Sequence, residues 1–318
     1  MSAFYYNNYY YVTTAGNEDA LPLLPQSKTR LHAALENGRY KEASKLIKSE
    51  TEDFLIKCFE NYEGYSPPSY KSSLHIIANL KNKKQAMRLC QELLDNVKDA
   101  ENRERLLNAT VVEEVRCGER TIRVKVAAIH IAAYTGNSEV VRLLFHEYGV
   151  DVNCNTSETL ERSPQTGLTP LYWATINGHL ELVQMLIDNS ADVNAKCSAD
   201  GVTPLCIAAE KNNSELVKLL LDNNADVSRA RANDGLTPLH IAARNGGKEV
   251  AKLLLDNNAD VNTSRANDGI TPLHTASQSG HIELVQLFLY NNADVNARCT
   301  DDGATPLYTA AYIGDTEV

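Results

Sequence analysis

Eight histidines and seven cysteines are the side chains of this 318-residue chain that could carry general-base, nucleophilic or metal chemistry. A Cys/His nucleophilic pair needs a His that no structural pattern already claims. His32, His75, His130, His240 and His274 all stand at one place in a recurring phrase, and His179 and His281 both follow a Gly at a second place. His146 alone stands outside, and no spacing pairs it with Cys58, Cys90, Cys117 or Cys154. The sequence has no C-x-x-C pair, H-E-x-x-H or phosphate-binding Gly-rich loop. Asp188, Asp222 and Asp256 recur at one place per repeat and read as solvated helix ends. The expectation is structural histidines, no catalytic residue, no metal and no cofactor.

The elements that position these residues follow from the phrase itself. Leu168-Thr-Pro-Leu-Tyr172, Val202-Thr-Pro-Leu-Cys206, Leu236-Thr-Pro-Leu-His240, Ile270-Thr-Pro-Leu-His274 and Ala304-Thr-Pro-Leu-Tyr308 are spaced 34 residues apart. Each continues through an Ala-rich stretch and an amphipathic run such as Glu215-Leu-Val-Lys-Leu-Leu-Leu221; several close on Asn-Ala-Asp-Val, as at Asn224 to Val227. In residues 234–257, Asp234-Gly235 is turn chemistry, Thr237 can cap a helix, and Pro238 fits a first turn. Gly246-Gly247 ends that helix. A second begins at Lys248 and places Val250, Ala251, Leu254 and Leu255 on one face, a stripe that only the next copy can cover. The repeat resembles the ankyrin repeat, whose signature is a turn and two helices with T-P-L-H-x-A.

The resemblance implies an all-α ankyrin solenoid. It extends backwards through Ile129 to Gly136, Ser72 to Ala78 and Thr29 to Gly38 to give eight repeats, with insertions confined to the first half. Residues 1–27 form a Tyr-rich segment, 28–160 degenerate repeats one to three, and 161–318 regular repeats four to eight. Residues 51–59 are helical in pattern and lead into a loop through Pro67-Pro68. Two β-branched runs on either side of Cys117-Gly118 predict a β-hairpin over 110–126, and residues 158–165 read as a polar loop. Phe4 to Tyr11 holds six aromatics in eight residues. That segment caps repeat one, folds on a partner or is a disordered tail.

The net charge is −10, and residues 161–318 carry 11 Lys/Arg against 20 Asp/Glu. Such an array suits a partner protein with a basic or polar surface and not nucleic acid. No apolar run spans a membrane. Cys197 and Cys299 occupy one place three repeats apart, too far for a disulfide. A reducing, intracellular compartment follows.

The framework repeats while two sets of positions change. One is the pair after the Ala-rich stretch: Tyr134, Ile176, Glu210-Lys211, Arg244-Asn245, Gln278 and Tyr312. The other lies in the finger loops: Arg229, Arg231, Arg265 and Arg298. The resemblance implies that these sets line the concave groove and finger tips that bind a partner protein. Trp173 stands where Ile207 and Ile241 stand, which suits core filling or an interface contact. The Asn-Asn-Ala-Asp-Val style also resembles arrays made by intracellular bacteria as host-directed effectors, delivered into a host cytoplasm. The alternative is a targeting arm of a larger enzyme, toxin or channel: Val318 matches Leu284, Val250 and Leu216, so the sequence stops inside repeat eight. Leu284, Leu287 and Phe288 of repeat seven are then expected to lack a neighbour.

Overall fold

The computed structural model describes residue 31 and residues 33–35, 37–49, 73–117, 120–158, 168–197 and 201–313. The Tyr-rich 1–27 segment, His32, Cys58, the 51–59 helix, the Pro67-Pro68 loop, the boundary at 160, most of the 158–165 loop and Val318 lie outside these residues.

The recurring Thr-Pro starts helices as its chemistry requires. Thr169, Thr203, Thr237 and Thr271 each accept a hydrogen bond from the backbone N–H three residues on, and Pro follows at the start of the helix. The first helices of the repeats are α2 (Ser73–Ala78), α5 (Ala128–Tyr134), α7 (Pro170–Ile176), α9 (Pro204–Glu210), α11 (Pro238–Asn245), α13 (Pro272–Gln278) and α15 (Pro306–Ile313). The second helices are α1 (Tyr40–Ser49), α3 (Lys83–Asn96), α6 (Ser138–His146), α8 (Leu180–Asp188), α10 (Ser214–Asp222), α12 (Lys248–Asp256) and α14 (Ile282–Tyr290). First helices stack on first helices, from α2 on α5 through to α13 on α15. Second helices form a second layer, with α1 on α3, α3 on α6 and α8 through to α14 in turn. The core runs between the layers as one continuous apolar cluster from Leu31 to Ala293.

The turns explain two more recurring residue types. Gly246 ends α11 in the left-handed region at φ 72°. Asn224, Asn258 and Asn292 take the same conformation after the second helices, at φ 65°, 67° and 63°, which Asn tolerates because its short amide can bond locally. In the regular fingers a tight turn closes on itself: Arg231 N–H donates to Leu236 O and Gly235 N–H to Arg231 O, a pattern repeated at Cys197, Arg265 and Cys299.

Two sets of polar side chains tie one repeat to the next. Nδ1 of His130 accepts from the Ala127 N–H at 3.1 Å, of His240 from Thr237 at 3.4 Å, and of His274 from Thr271 at 3.3 Å. That fixes the proton on Nε2, which donates onward to Cys154 O at 3.0 Å, Ile270 O at 3.0 Å and Ala304 O at 3.2 Å. His75 makes the corresponding bond to Val126 O at 3.1 Å. The second set is Asn153, Asn194 and Asn262. The Asn194 amide donates to Asn224 O and accepts from the Asp226 N–H, and Asn153 and Asn262 do the same one finger on.

Ser228 breaks the second set. It stands where Asn194 and Asn262 stand, and its hydroxyl turns back to donate to Asp226 Oδ1 at 2.7 Å. Ser228→Asn restores a rung between repeats five and six. The expected gain is about 1 kcal/mol, two new hydrogen bonds less the lost local one. An unchanged urea midpoint would refute the ladder as a source of stability.

The insertion between repeats two and three is richer than the sequence indicates. The expected hairpin is present: β1 (Thr110–Cys117) pairs antiparallel with β2 (Arg120–Ala127), Val111 opposite Val126. The loop expectation at 158 needs correction at its start. Ser157–Glu158 forms β3, which pairs with β2 at Val124 and Lys125 to give a three-stranded sheet ordered β1-β2-β3. A helix with no counterpart in the sequence reading, α4 (Ala100–Asn108), precedes β1 and is capped by Asp99.

Repeat seven also differs from expectation. Leu284 and Phe288 are fully buried and Leu287 is half-buried, because their positions on α14 face the first-helix layer and α12. The exposed large apolar residues at this end, among the described residues, are Leu289 and Tyr290 on α14, Val295 in the loop after it, and Leu307, Tyr308, Tyr312 and Ile313 on α15.

Candidate partner-binding surface

Two of the groups that could carry chemistry, His130 and Cys154, are held in states that suppress it. His130 and Cys154 approach to 3.7 Å between Nε2 and Sγ. Burial pushes the His130 imidazole down to about 4 and the Cys154 thiol up to about 12. Both groups are neutral at pH 7, the opposite of the thiolate–imidazolium pair a nucleophilic cysteine requires. Burial raises Cys90, Cys206 and Cys299 as well, and Cys90, Cys154, Cys197, Cys206 and Cys299 are free thiols. Among the described residues no three His, Cys, Asp or Glu side chains converge as a metal site. His179 and His281 point backwards, each donating through Nε2 to a backbone carbonyl of the preceding repeat, Tyr134 O at 2.9 Å and Arg244 O at 3.3 Å.

What the fold brings together is a row. The first helices stack in register, so their C-terminal ends fall one above another. Glu210 and Lys211 of repeat five, Arg244 and Asn245 of six, Gln278 and Ser279 of seven, and Tyr312 and Ile313 of eight are all exposed. Asn245 links neighbouring repeats by donating to Glu210 O at 3.1 Å. Tyr308 and Tyr312 stack at 6.3 Å on α15. The row is continuous, and each level presents a different side chain.

Tyr134 and Ile176 belong only in part to this row. Both are half-buried against the core, and Tyr134 meets the edge of Trp173 with ring centroids 5.6 Å apart. Trp173 is 4% exposed, so it fills the core. Its size accounts for Tyr134: where other repeats place Ile or Thr, the indole needs a flat neighbour, and Tyr134 supplies one.

The finger arginines divide in the same way. Arg231 is 6% exposed and buried between Asp234, three residues on, and Glu210 of the preceding first helix, 3.6 Å away. It braces the finger and does not offer its guanidinium to the surface. Burial alone would raise the Asp234 carboxyl, but the Arg231 contact holds it low. Arg265 makes the same i,i+3 pair with Asp268 at 2.9 Å, half-buried. Arg229 pairs with Asp226 at 3.3 Å. Arg298 is exposed and donates to Gly303 O within its own finger. The shared spacing Arg-x-x-Asp at 231 and 265 was the sequence signal for this bracing role.

A profile described as ankyrin repeats (3 copies) matches residues 31–197, 129–230 and 196–265, and one described as ankyrin repeats (many copies) matches 246–289 and 273–318. The chain belongs to the ankyrin-repeat family. It is an ankyrin solenoid of stacked helix pairs, the architecture of a protein–protein interaction module. Among curated proteins it is similar to E3 ubiquitin-protein ligase XBAT32 of Arabidopsis thaliana, 37% identical over 84 residues, covering 21% of this chain and 16% of that protein. It is also similar to Alpha-latrocrustotoxin-Lt1a and Delta-latroinsectotoxin-Lt1a of Latrodectus tredecimguttatus. Identities there are 37% over 68 residues and 36% over 73, covering 21% and 23% of this chain and 4% and 5% of the toxins. The matched segment is thus a small part of each of these relatives. No helix among the described residues is long and apolar enough to cross a membrane.

Proposed function

We propose that this ankyrin array binds a partner protein along the row of first-helix ends, without catalysis in this segment. One observation carries the reading: the Thr-Pro-Leu framework of repeats four to seven is buried and its threonines cap the first helices, while the row at Glu210, Arg244, Asn245, Gln278 and Tyr312 is exposed, aligned and different at each level. Arg298 and Arg229 extend the contact into the fingers; Arg231 and Arg265 hold those fingers in shape. The excess of acidic residues from 161 onward favours a partner with a basic or polar surface and disfavours nucleic acid. Free thiols suit a reducing intracellular compartment, such as a host cytoplasm reached by an effector. The names of the relatives favour a second reading beside it, in which the array is the recognition arm of a longer ligase-like or toxin-like protein.

The test uses peptides selected on the wild-type array from a random display library. Arg244→Glu combined with Tyr312→Ala is expected to weaken a selected peptide at least tenfold, about 1.4 kcal/mol or more. The melting curve should move by less than the equivalent of about 0.5 kcal/mol, since both side chains are exposed. Tyr134→Ala is unsuitable because it also strips the cover from Trp173. Equal affinity for wild type and variant would place the interface elsewhere.

A further inference from the structure

The insertion between repeats two and three leaves a cavity of about 540 Å³ between α4, the base of the hairpin and the loop that follows α6. It lies away from the row at Glu210 to Tyr312, in the irregular half of the array. Leu107, Val150, the ring of Tyr148 and the methyl of Ala127 supply apolar wall. Glu104 on α4 and Glu147 and Asp151 after α6 supply three carboxylates from two separate elements, all three exposed to solvent.

The positive charge on this wall is already engaged. Among the described side chains Arg103 is the one Lys or Arg lining the cavity, and its guanidinium donates through Nε to Leu94 O and Val97 O and through Nη2 to Val97 O, at 2.7–3.2 Å. Those bonds fasten α4 to the end of α3. His130 lines the cavity too, but it is buried and neutral at pH 7 with its Nε2 proton on the Cys154 carbonyl. Cys154 is held as a thiol. Among the described side chains the remaining charge is three carboxylates against one guanidinium that is tied to backbone carbonyls.

We propose that this cavity binds an arginine side chain from an extended segment of a partner protein. A guanidinium is the cation that suits it. It is planar, so it can lie on the Tyr148 ring. It donates in several directions at once, which three spread carboxylates can accept, and it is more weakly hydrated than an ammonium, so entering a half-apolar cavity costs less. Its aliphatic stem covers Leu107 and Val150. The volume is within the range of ligand pockets. The source of the arginine rests on the reading of the array as a protein-binding module; the chemistry of the cavity does not.

The probe is n-butylguanidinium, with neutral n-butylurea as its isosteric control, titrated at millimolar concentrations into the full chain and followed by amide ¹H–¹⁵N spectra. Saturable shifts are expected at Leu107, Gly149, Val150 and Asn155 with the guanidinium and not with the urea. Affinity should fall several-fold in Glu104→Gln/Glu147→Gln, whose exposed sites leave folding intact, and should be unchanged in Arg244→Glu/Tyr312→Ala. Absence of saturable shifts, equal response to the urea, or unchanged affinity in the Glu variant would overturn the proposal. Failure of the row variants to weaken peptide binding would overturn the Proposed function and leave this cavity untouched.

Discussion

Acidification from about pH 7 to about pH 4 is expected to remove several kcal/mol of stability, because the rungs between repeats are neutral histidines. His130 is 2% and His240 0% exposed, and burial pushes each from 6.5 down to about 4; His274 moves the same way. Between those limits the unfolded chain binds a proton that the folded chain refuses. Stability is therefore complete above about 6.5, falls as the pH drops, and stops falling from this cause near 4. At about 1.4 kcal/mol per pH unit each of the first two contributes up to about 3 kcal/mol, against a total of about 5–15 for a domain.

The carboxylates act in a different window. Glu92, Asp226 and Asp234 are held below their ordinary values of 4.5, 3.8 and 3.8 by hydrogen bonds and neighbouring cations. Their contribution is present above those values and is lost only at lower pH. Urea midpoints measured across the range separate the two. His240→Gln should be less stable than wild type at neutral pH and lose less on acidification. A midpoint constant from neutrality to about pH 4.5 would remove the histidine rungs as a stabilising device.

Much of this was legible in the sequence because each repeat states its own geometry. Thr-Pro marks a capped start, Gly246 an end, and the period places His240 and His274 where each must meet the next repeat. The hairpin was legible for a similar reason: β-branched residues at Val111 to Val115 and Thr121 to Val126 contradict a helix. What escaped depends on partners outside the segment. Helix α4 buries Leu106 alone, so no apolar stripe announced it. Strand β3 is two residues long and exists because β2 offers it an edge. Arg231 looked like surface because arginine usually is; its burial needs both Asp234 and Glu210, and Glu210 lies in the preceding repeat.

The row illustrates the same limit. Variation between copies singled out Tyr134 and Tyr312 alike. Yet Tyr134 is half-buried against Trp173, and Tyr312 is 83% exposed. The difference lies in the neighbour, since a large indole at 173 recruits the tyrosine of the repeat before it. Position within a repeat tells which face a residue is on, and the adjacent repeat decides whether that face is free.

Phe288→Ala is expected to cost about 3–5 kcal/mol, and the damage should be local. Phe288 is the largest fully buried side chain among the described residues. It sits on α14, which packs on α13 and α12. In a stack each repeat is held by its own stability and its interfaces to its neighbours, with no longer-range contact to share a loss. Hydrogen exchange should therefore show protection falling over residues 272–313, to a lesser degree over α11 and α12, and little over α7 to α10. Repeat eight should fall with repeat seven, since α15 rests on α13 and exposes Leu307, Tyr308 and Tyr312 on its other faces. A uniform loss of protection from repeat four to repeat eight would mean that the array unfolds as one cooperative unit and that nearest-neighbour coupling is not what limits it.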